Sequence, residues 1–244
     1  MLRPVQGAIL VVGNEILSGK VQDVNVQFLA TELRTLGADL ERVVVVPDDV
    51  DVIARAVSEL SDAHDFVLTT GGVGPTHDDV TVEAVAKAFG RKIVRNVQIE
   101  AIIRGFYREG CTEGHLRMAD VPEGVELVAT EKVRWPAMVL RNVYVLPGLP
   151  EIMRMKFELV RERFRGKPFH LRSVYVRLNE GNLKDHLDAV VREFPEVQVG
   201  SSPRFDDREF KVRVTLEGRD PTAVDRSTES LVRRLAPEDV VRTD

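Results

Sequence analysis

Apolar positions along the chain keep two rhythms in turn, unbroken short runs and helically spaced stripes. Ala8 to Val12 is one such run, and behind it Phe28, Leu29, Leu33 and Leu36 recur at helical spacing within Val24 to Leu36. That predicts strand, loop, helix. Gly37 ends the helix, Leu40 to Val46 is a second β-branched run, and Asp49 is placed to cap a helix with the face Val52, Ile53, Ala56, Val57 and Leu60. The unit repeats with a strand at Phe66 to Thr70 and a third helix at Asp79 to Phe89. Near-continuous apolar strands alternating with amphipathic helices predict an α/β fold with a parallel sheet covered on both faces.

The rhythm then loosens. Gln98 to Arg108 reads as a helix and Gly110 to Gly114 as a loop. Val125 to Ala129 and Met138 to Leu146 read as strands, the second broken as a hairpin at Arg141-Asn142. Pro147-Gly148-Leu149-Pro150 is a tight turn into a helix from Glu151 to about Phe164. Turn residues and charge at Arg165-Gly166-Lys167-Pro168 interrupt the periodicity and set a boundary between a domain at 1–165 and another at 168–244. Beyond it, strands at His170 to Leu178, Val197 to Val199 and Phe210 to Leu216 and helices at Leu183 to Phe194 and Ala223 to Leu235 give a β-α-β-β-α order. This is a small α+β domain.

Composition narrows the partners. A net charge of -5 over 244 residues, with no long run of one sign, is not the footprint of a duplex-binding protein, so nucleic acid is not the expected ligand. The single cysteine, Cys111, can form no intrachain disulfide, and the usual structural zinc sets are excluded. No apolar run approaches the roughly 20 residues of a membrane span, and the start of the chain shows no signal-type core. The expectation is a cytoplasmic protein that does not enter a membrane.

The segment TTGGVGPTHDDVT lies between the third strand and the third helix, at the carboxyl end of a parallel strand, where open α/β sheets bind ligands. Gly71, Gly72 and Gly74 leave no side chains in the way, so backbone N–H groups can point at a phosphate. A valine at position 72 is expected to block that approach without unfolding the chain. The adjacent acids Asp78 and Asp79 would repel an anion unless a hard divalent cation, magnesium or similar, stood between. The competing reading makes Asp79 a helix N-cap and leaves Asp78 solvated. A second segment, VGNEILSGKVQDVN, follows the first strand and supplies oxygens from Glu15, Asp23 and Asn25. There too a turn-and-cap reading is open, as it is for Asp48 after the second strand. His77 is a possible proton donor or a solvent-facing residue. His115 and His186 carry no partner pattern, Trp135 and Met138 read as packing, and Cys111 has no adjacent base.

GNEILSGKVQDVNVQFL, VVPDD, TTGGVGPTHDDVT and NVYVLPGLPE, in this order, resemble the molybdopterin-binding (MoaB/Mog) superfamily, nearest the CinA N-terminal domain and the molybdopterin-binding-like domain of FAD synthase. VRWPAMVLRNVYVLPGLPE is more similar to the FAD synthase branch. Asn14 stands where relatives usually carry Thr or Asp, and TEKVRWPA replaces an asparagine-glycine segment of the CinA type. The resemblance covers about Ala8 to Phe164 and implies a doubly wound, mostly parallel sheet. It implies catalytic or ligand-binding roles for Asp48 and Asp79, and a ligand cradle of Gly71, Gly72, Gly74, Pro75 and Thr76, with Asn25, Pro147 and Gly148 also at the ligand. Asp79, Asp78 and Glu15 are the expected metal ligands. The implied activity is metal-dependent cleavage of a nucleotide pyrophosphate of the ADP-ribose or FAD type. Its alternatives are a non-catalytic pterin or nucleotide binder and a molybdopterin adenylyltransferase. The superfamily also implies a homo-oligomer, and the tail is expected to serve packing or assembly.

Overall fold

Residues 6–12 carry one glycine and otherwise only apolar side chains after Gln6, and they form the buried strand β1 (Gln6–Val12). A computed structural model describes residues 5–204, 206 and 209–244. After β1 come α1 (Asn14–Leu17), α2 (Asn25–Leu36), β2 (Asp39–Val46), α3 (Val50–Ala63), β3 (Phe66–Thr70), α4 (Thr81–Ala88), β4 (Ile93–Arg95) and α5 (Val97–Tyr107). They are followed by α6 (Glu113–Leu116), β5 (Asp120–Pro122), β6 (Glu126–Val128), β7 (Ala137–Leu140), β8 (Val143–Leu146) and α7 (Pro150–Glu158). These lie in the first of two compact units, Met1–Gly166 and Lys167–Asp244.

The main sheet of the described residues runs β2-β1-β3-β8-β7-β6. The first four strands are parallel and β7 and β6 antiparallel. Because successive side chains of a strand face opposite ways, β1 feeds two cores at once. Ala8, Leu10 and Val12 pack with Ile53, Val57 and Leu60 of α3 and Val85 of α4. Ile9 and Val11 pack with Leu29, Leu33 and Leu36 of α2 and Met153 and Phe157 of α7. The sheet is covered on both faces, as the apolar runs predict. The chain leaves β1 through α2 on one face and returns from β2 through α3 on the other, which makes the sheet doubly wound.

Local differences from the sequence reading have identifiable causes. α4 starts at Thr81 rather than Asp79, with Val80 at the cap position and no side-chain cap bond. Asp49 does cap α3, accepting from the N–H groups of Asp51 and Val52. Within the expected loop 110–114 a short helix begins, because the Thr112 hydroxyl and the His115 ring close a reciprocal capping box. The hairpin at Arg141-Asn142 forms as predicted, with Arg141 at φ 55°.

The second unit contains β9 (His170–Val176), α8 (Glu180–Glu193), β10 (Gln198–Pro203), β11 (Val212–Gly218), α9 (Pro221–Arg234) and β12 (Val240–Thr243). Its antiparallel sheet runs β10-β11-β9-β12 over a core that includes Val174, Val176, Leu183, Val190, Val214 and Leu231. The sequence pattern missed β12, whose four residues are too short for a period. With it the order becomes β-α-β-β-α-β, the ferredoxin-like arrangement.

Lys156 on α7 is buried, 4% exposed, and no carboxylate pairs with it among the described residues; its ammonium lies 5.8 Å from the centre of the Trp135 ring. Burial pulls its pKa down from 10.5 to about 8. At about 1.4 kcal/mol per pH unit, the buried charge costs on the order of 3 kcal/mol while it persists. Below pH 8 folded and unfolded chains both carry the proton and the cost is fully present. Between about 8 and 10.5 the unfolded chain binds more protons, so stability rises with pH. Lys156→Met is therefore expected to stabilise the fold at pH 7 by a few kcal/mol or less, with the gain fading by pH 10.5. Urea melts of both proteins from pH 7 to 10.5 read this directly, and a constant difference across that range would contradict it.

Candidate functional site

Four parallel strands end at one edge, and the loops after β1, β2, β3 and β8 gather there. β2 lies to one side of β1 and β3 to the other, so the strand order reverses between β1 and β3, where ligand crevices form in open sheets. The three acid-bearing loops of the sequence reading are those after β1, β2 and β3.

The β3 loop is built on close backbone contact. Gly71 has φ 102°, and a Cβ there would meet the Val12 carbonyl oxygen at 2.1 Å. Gly72 has φ 64°, and its Cβ would meet Thr81 Oγ1 at 2.4 Å. Thr81, wholly buried at the start of α4, donates its hydroxyl to the Gly71 carbonyl at 2.8 Å and its N–H to the Gly72 carbonyl at 2.9 Å. With those carbonyls held inward, the N–H groups of Gly72, Val73 and Gly74 have no acceptor among the described residues. Pro75 and Thr76 follow as the exposed tip.

At that tip Asp79 turns back instead of capping α4. Its Oδ2 accepts from the Thr76 N–H at 2.8 Å and from the Thr76 hydroxyl at 2.5 Å. The same hydroxyl lies 2.6 Å from Asp78 Oδ1. One hydroxyl proton cannot serve two carboxylates, so the pair converges on an oxygen that satisfies only one of them. The Thr76 hydrogen bond, aided by the Asp78 backbone, holds the Asp78 carboxyl below its ordinary pKa. His77 is 97% exposed, with its nearest partner Asp78 at 3.9 Å.

The other loops are tied to this one unequally. Asp48 Oδ2 accepts from the Asn14 N–H at 2.8 Å, linking the β2 and β1 loops; Asp49, not Asp48, is the helix cap. Glu15 folds its carboxylate over Gly13, where a Cβ would lie 2.5 Å from Oε1. Asp23 accepts from the Val26 N–H at 2.8 Å, a turn-closing role at the start of α2. Asn25 is buried, and its amide donates to Thr70 Oγ1 at 3.0 Å and to the Gly148 carbonyl at 2.8 Å. Thr70 in turn donates to the Pro147 carbonyl. Asn25 thus fixes the Pro147-Gly148 turn against β3 while its own Oδ1 stays buried without a partner.

Among the described residues no three His, Cys, Asp or Glu side chains come together in a group able to hold a metal ion, so Glu15 does not join Asp78 and Asp79 in one. The donor chemistry of the Asp78–Asp79 pair still suits a hard divalent ion completed by oxygens of a ligand.

Sequence reasoning missed two participants. Thr81 had a signal, a polar residue on an otherwise apolar helix face. Arg117 had none. It enters on the excursion from β4 to β5, whose short strands pair with each other, and its Nη1 reaches the Thr76 carbonyl at 3.5 Å. Beside it is a cavity of about 370 Å³ lined by Asp79, Val82, Glu83, Ile93, Arg117 and Asp120. His115, stacked on Tyr107 at 3.8 Å, and His186 on α8 lie outside the gathered loops.

Residues 8–165 match the family described as "Probable molybdopterin binding domain". The chain belongs to the molybdopterin-binding domain family. The resemblance drawn from the four motifs is thereby borne out, and residues 168–244 match the "FAD synthase, middle domain". A protein of Archaeoglobus fulgidus is 38% identical over 93% of this chain and 96% of its own length. A "Probable FAD synthase" of Caenorhabditis elegans is 30% identical over 94% of this chain, which spans 50% of that protein's length. The crystal structure of CinA from Thermoplasma acidophilum superposes with a TM-score of 0.61 at 30% identity, covering 66% of this chain and 98% of that one. Among the described residues no helix is long and apolar enough to cross a membrane.

In this molybdopterin-binding domain the glycines separate structure from ligand. Gly72→Val puts a branched side chain at positive φ against Thr81, a strain of about 1–3 kcal/mol, so it destabilises the fold and is not the neutral blocker expected from sequence. Gly74→Ala meets only the far end of the flexible Asp79 side chain, at 2.6 Å, and displaces that carboxylate from Thr76 at a cost of about 1 kcal/mol for these exposed bonds. Thermal melts of the two variants should separate in that order. Equal melting temperatures would contradict the assignment of backbone strain to Gly72.

Proposed function

We propose that the first unit binds a nucleotide through its pyrophosphate, of the ADP-ribose or FAD type, and hydrolyses it with the help of a divalent metal ion. The observation that carries this reading is the run of N–H groups at Gly72, Val73 and Gly74 without acceptors among the described residues, the kind of backbone segment from which anion nests are built. The kinship with proteins named FAD synthase and CinA supports a nucleotide over other anions.

Asp78 and Asp79 would hold the ion, which when bound neutralises phosphate charge and makes phosphorus more electrophilic. The amides of Gly72 to Gly74 orient the phosphate oxygens and stabilise charge developing on them. Asp48, anchored through one oxygen by the Asn14 N–H, directs its other oxygen to an attacking water and takes its proton. The new bond joins that water oxygen to phosphorus, the bridging P–O bond breaks, and the departing phosphate carries away the electron pair. A second reading is a non-catalytic nucleotide or pterin binder, which the same unpaired amides would serve.

Asp79→Asn decides between them. The asparagine oxygen can still accept from the Thr76 N–H, so the loss of stability is about 1 kcal/mol, whereas the missing charge should lower turnover by orders of magnitude. Release of mononucleotide from ADP-ribose and FAD is measured with several divalent metals, beside thermal melts and with Asp48→Asn as the second variant. Wild-type turnover in a folded Asp79→Asn protein refutes the catalytic role. Nucleotide or molybdopterin binding without turnover in the wild type supports the binder.

A further inference from the structure

We infer that the cavity beside the β3 loop takes the nucleoside half of a nucleoside diphosphate, with Arg117 gripping phosphate at its mouth; this rests on the nucleotide reading above. A narrower recess shares Asp79, Val82, Arg117 and Asp120 with the cavity and includes Val73 and Gly74 in its walls. The cavity therefore neighbours the stretch that carries the unpaired amides. Its volume of about 370 Å³ falls within the range of about 300–1,000 Å³ for small-molecule sites.

The charges along it are sorted. Arg95, nearby, is consumed by Asp120 and by Glu113 at 2.9 Å. Arg117 forms no ion pair among the described residues; its one polar contact is the long one to the Thr76 carbonyl. Its backbone is held on both sides by buried Leu116 and Ala119 while its side chain stays exposed. An exposed, unpaired guanidinium near amides that lack acceptors offers the planar double donor that phosphate accepts. Along the same lining the exposed Glu83 presents a carboxylate, which repels phosphate but accepts hydrogen bonds from uncharged hydroxyls, while both oxygens of Asp120 are engaged by Arg95. Val82 and Ile93 add apolar wall. Phosphate at the donor end, sugar hydroxyls among the acceptors and a base against the apolar wall describe a ribonucleoside diphosphate lying along the cavity.

Calorimetric titration of the full chain with ADP and with inorganic pyrophosphate tests this without relying on turnover. Arg117→Ala should weaken both ligands about 10- to 100-fold, the effect of losing a charged hydrogen-bond donor, and Arg117→Lys should recover part of it. Glu83→Ala, on an exposed helix position, should weaken ADP several-fold and leave pyrophosphate unchanged. Unaltered ADP affinity in Arg117→Ala, or equal effects of Glu83→Ala on both ligands, overturns the assignment while the nucleotide reading stands. A wild-type chain that binds neither ligand overturns both.

Discussion

Three backbone segments meet at Gly71. The carbonyl of Val12 occupies the space a side chain would need, and Gly148 lies so near that its own Cβ would stand 3.4 Å from the Gly71 Cα. The contact brings the ends of β1, β3 and β8 together, and Asn25 and Thr70 lock it from the side through the Pro147-Gly148 turn. Thr81 then draws the carbonyls of Gly71 and Gly72 inward. With those carbonyls engaged by Thr81, the N–H groups of Gly72, Val73 and Gly74 have no acceptor among the described residues. The run of unpaired N–H groups is thus a by-product of close strand packing, not of a separately folded loop.

The same packing sets where the acids stand around the site proposed for phosphate. Asp48 and Asp79 come from loops after β2 and β3, the strands flanking β1, so they stand on opposite sides of the crevice. Each has one oxygen committed to a backbone N–H, of Asn14 or of Thr76. That commitment fixes orientation and leaves the second oxygen for a cation, a water or a ligand. Carboxylates and backbone donors thus stand side by side on the β3 loop, where Asp79 lies against Gly74.

Much of this architecture was legible because burial on both faces leaves an unambiguous mark. Ala8 to Val12 and Phe66 to Thr70 could be read as central strands from their apolar runs alone, and the glycines of the β3 loop from their spacing. What was not legible depended on contacts without a period. The Asp79 carboxylate choosing Thr76 over the helix amides displaced the start of α4 by two residues. β4, β5 and β12 have three or four residues each, too few to alternate visibly. Arg117 enters the site from an excursion outside the repeating unit, and Lys156 sits within an amphipathic stripe where a lysine reads as a solvated position.

Ligand binding by the first unit depends above all on the backbone amides of the β3 loop. Amide NMR of the full chain titrated with ADP-ribose, with and without magnesium, observes them one by one. The predicted result is saturable shifts centred on Gly72, Val73 and Gly74, with Gly200 and Gly218 of the second unit unmoved. Saturable binding that leaves those three amides unperturbed, or that moves the second unit instead, would contradict it.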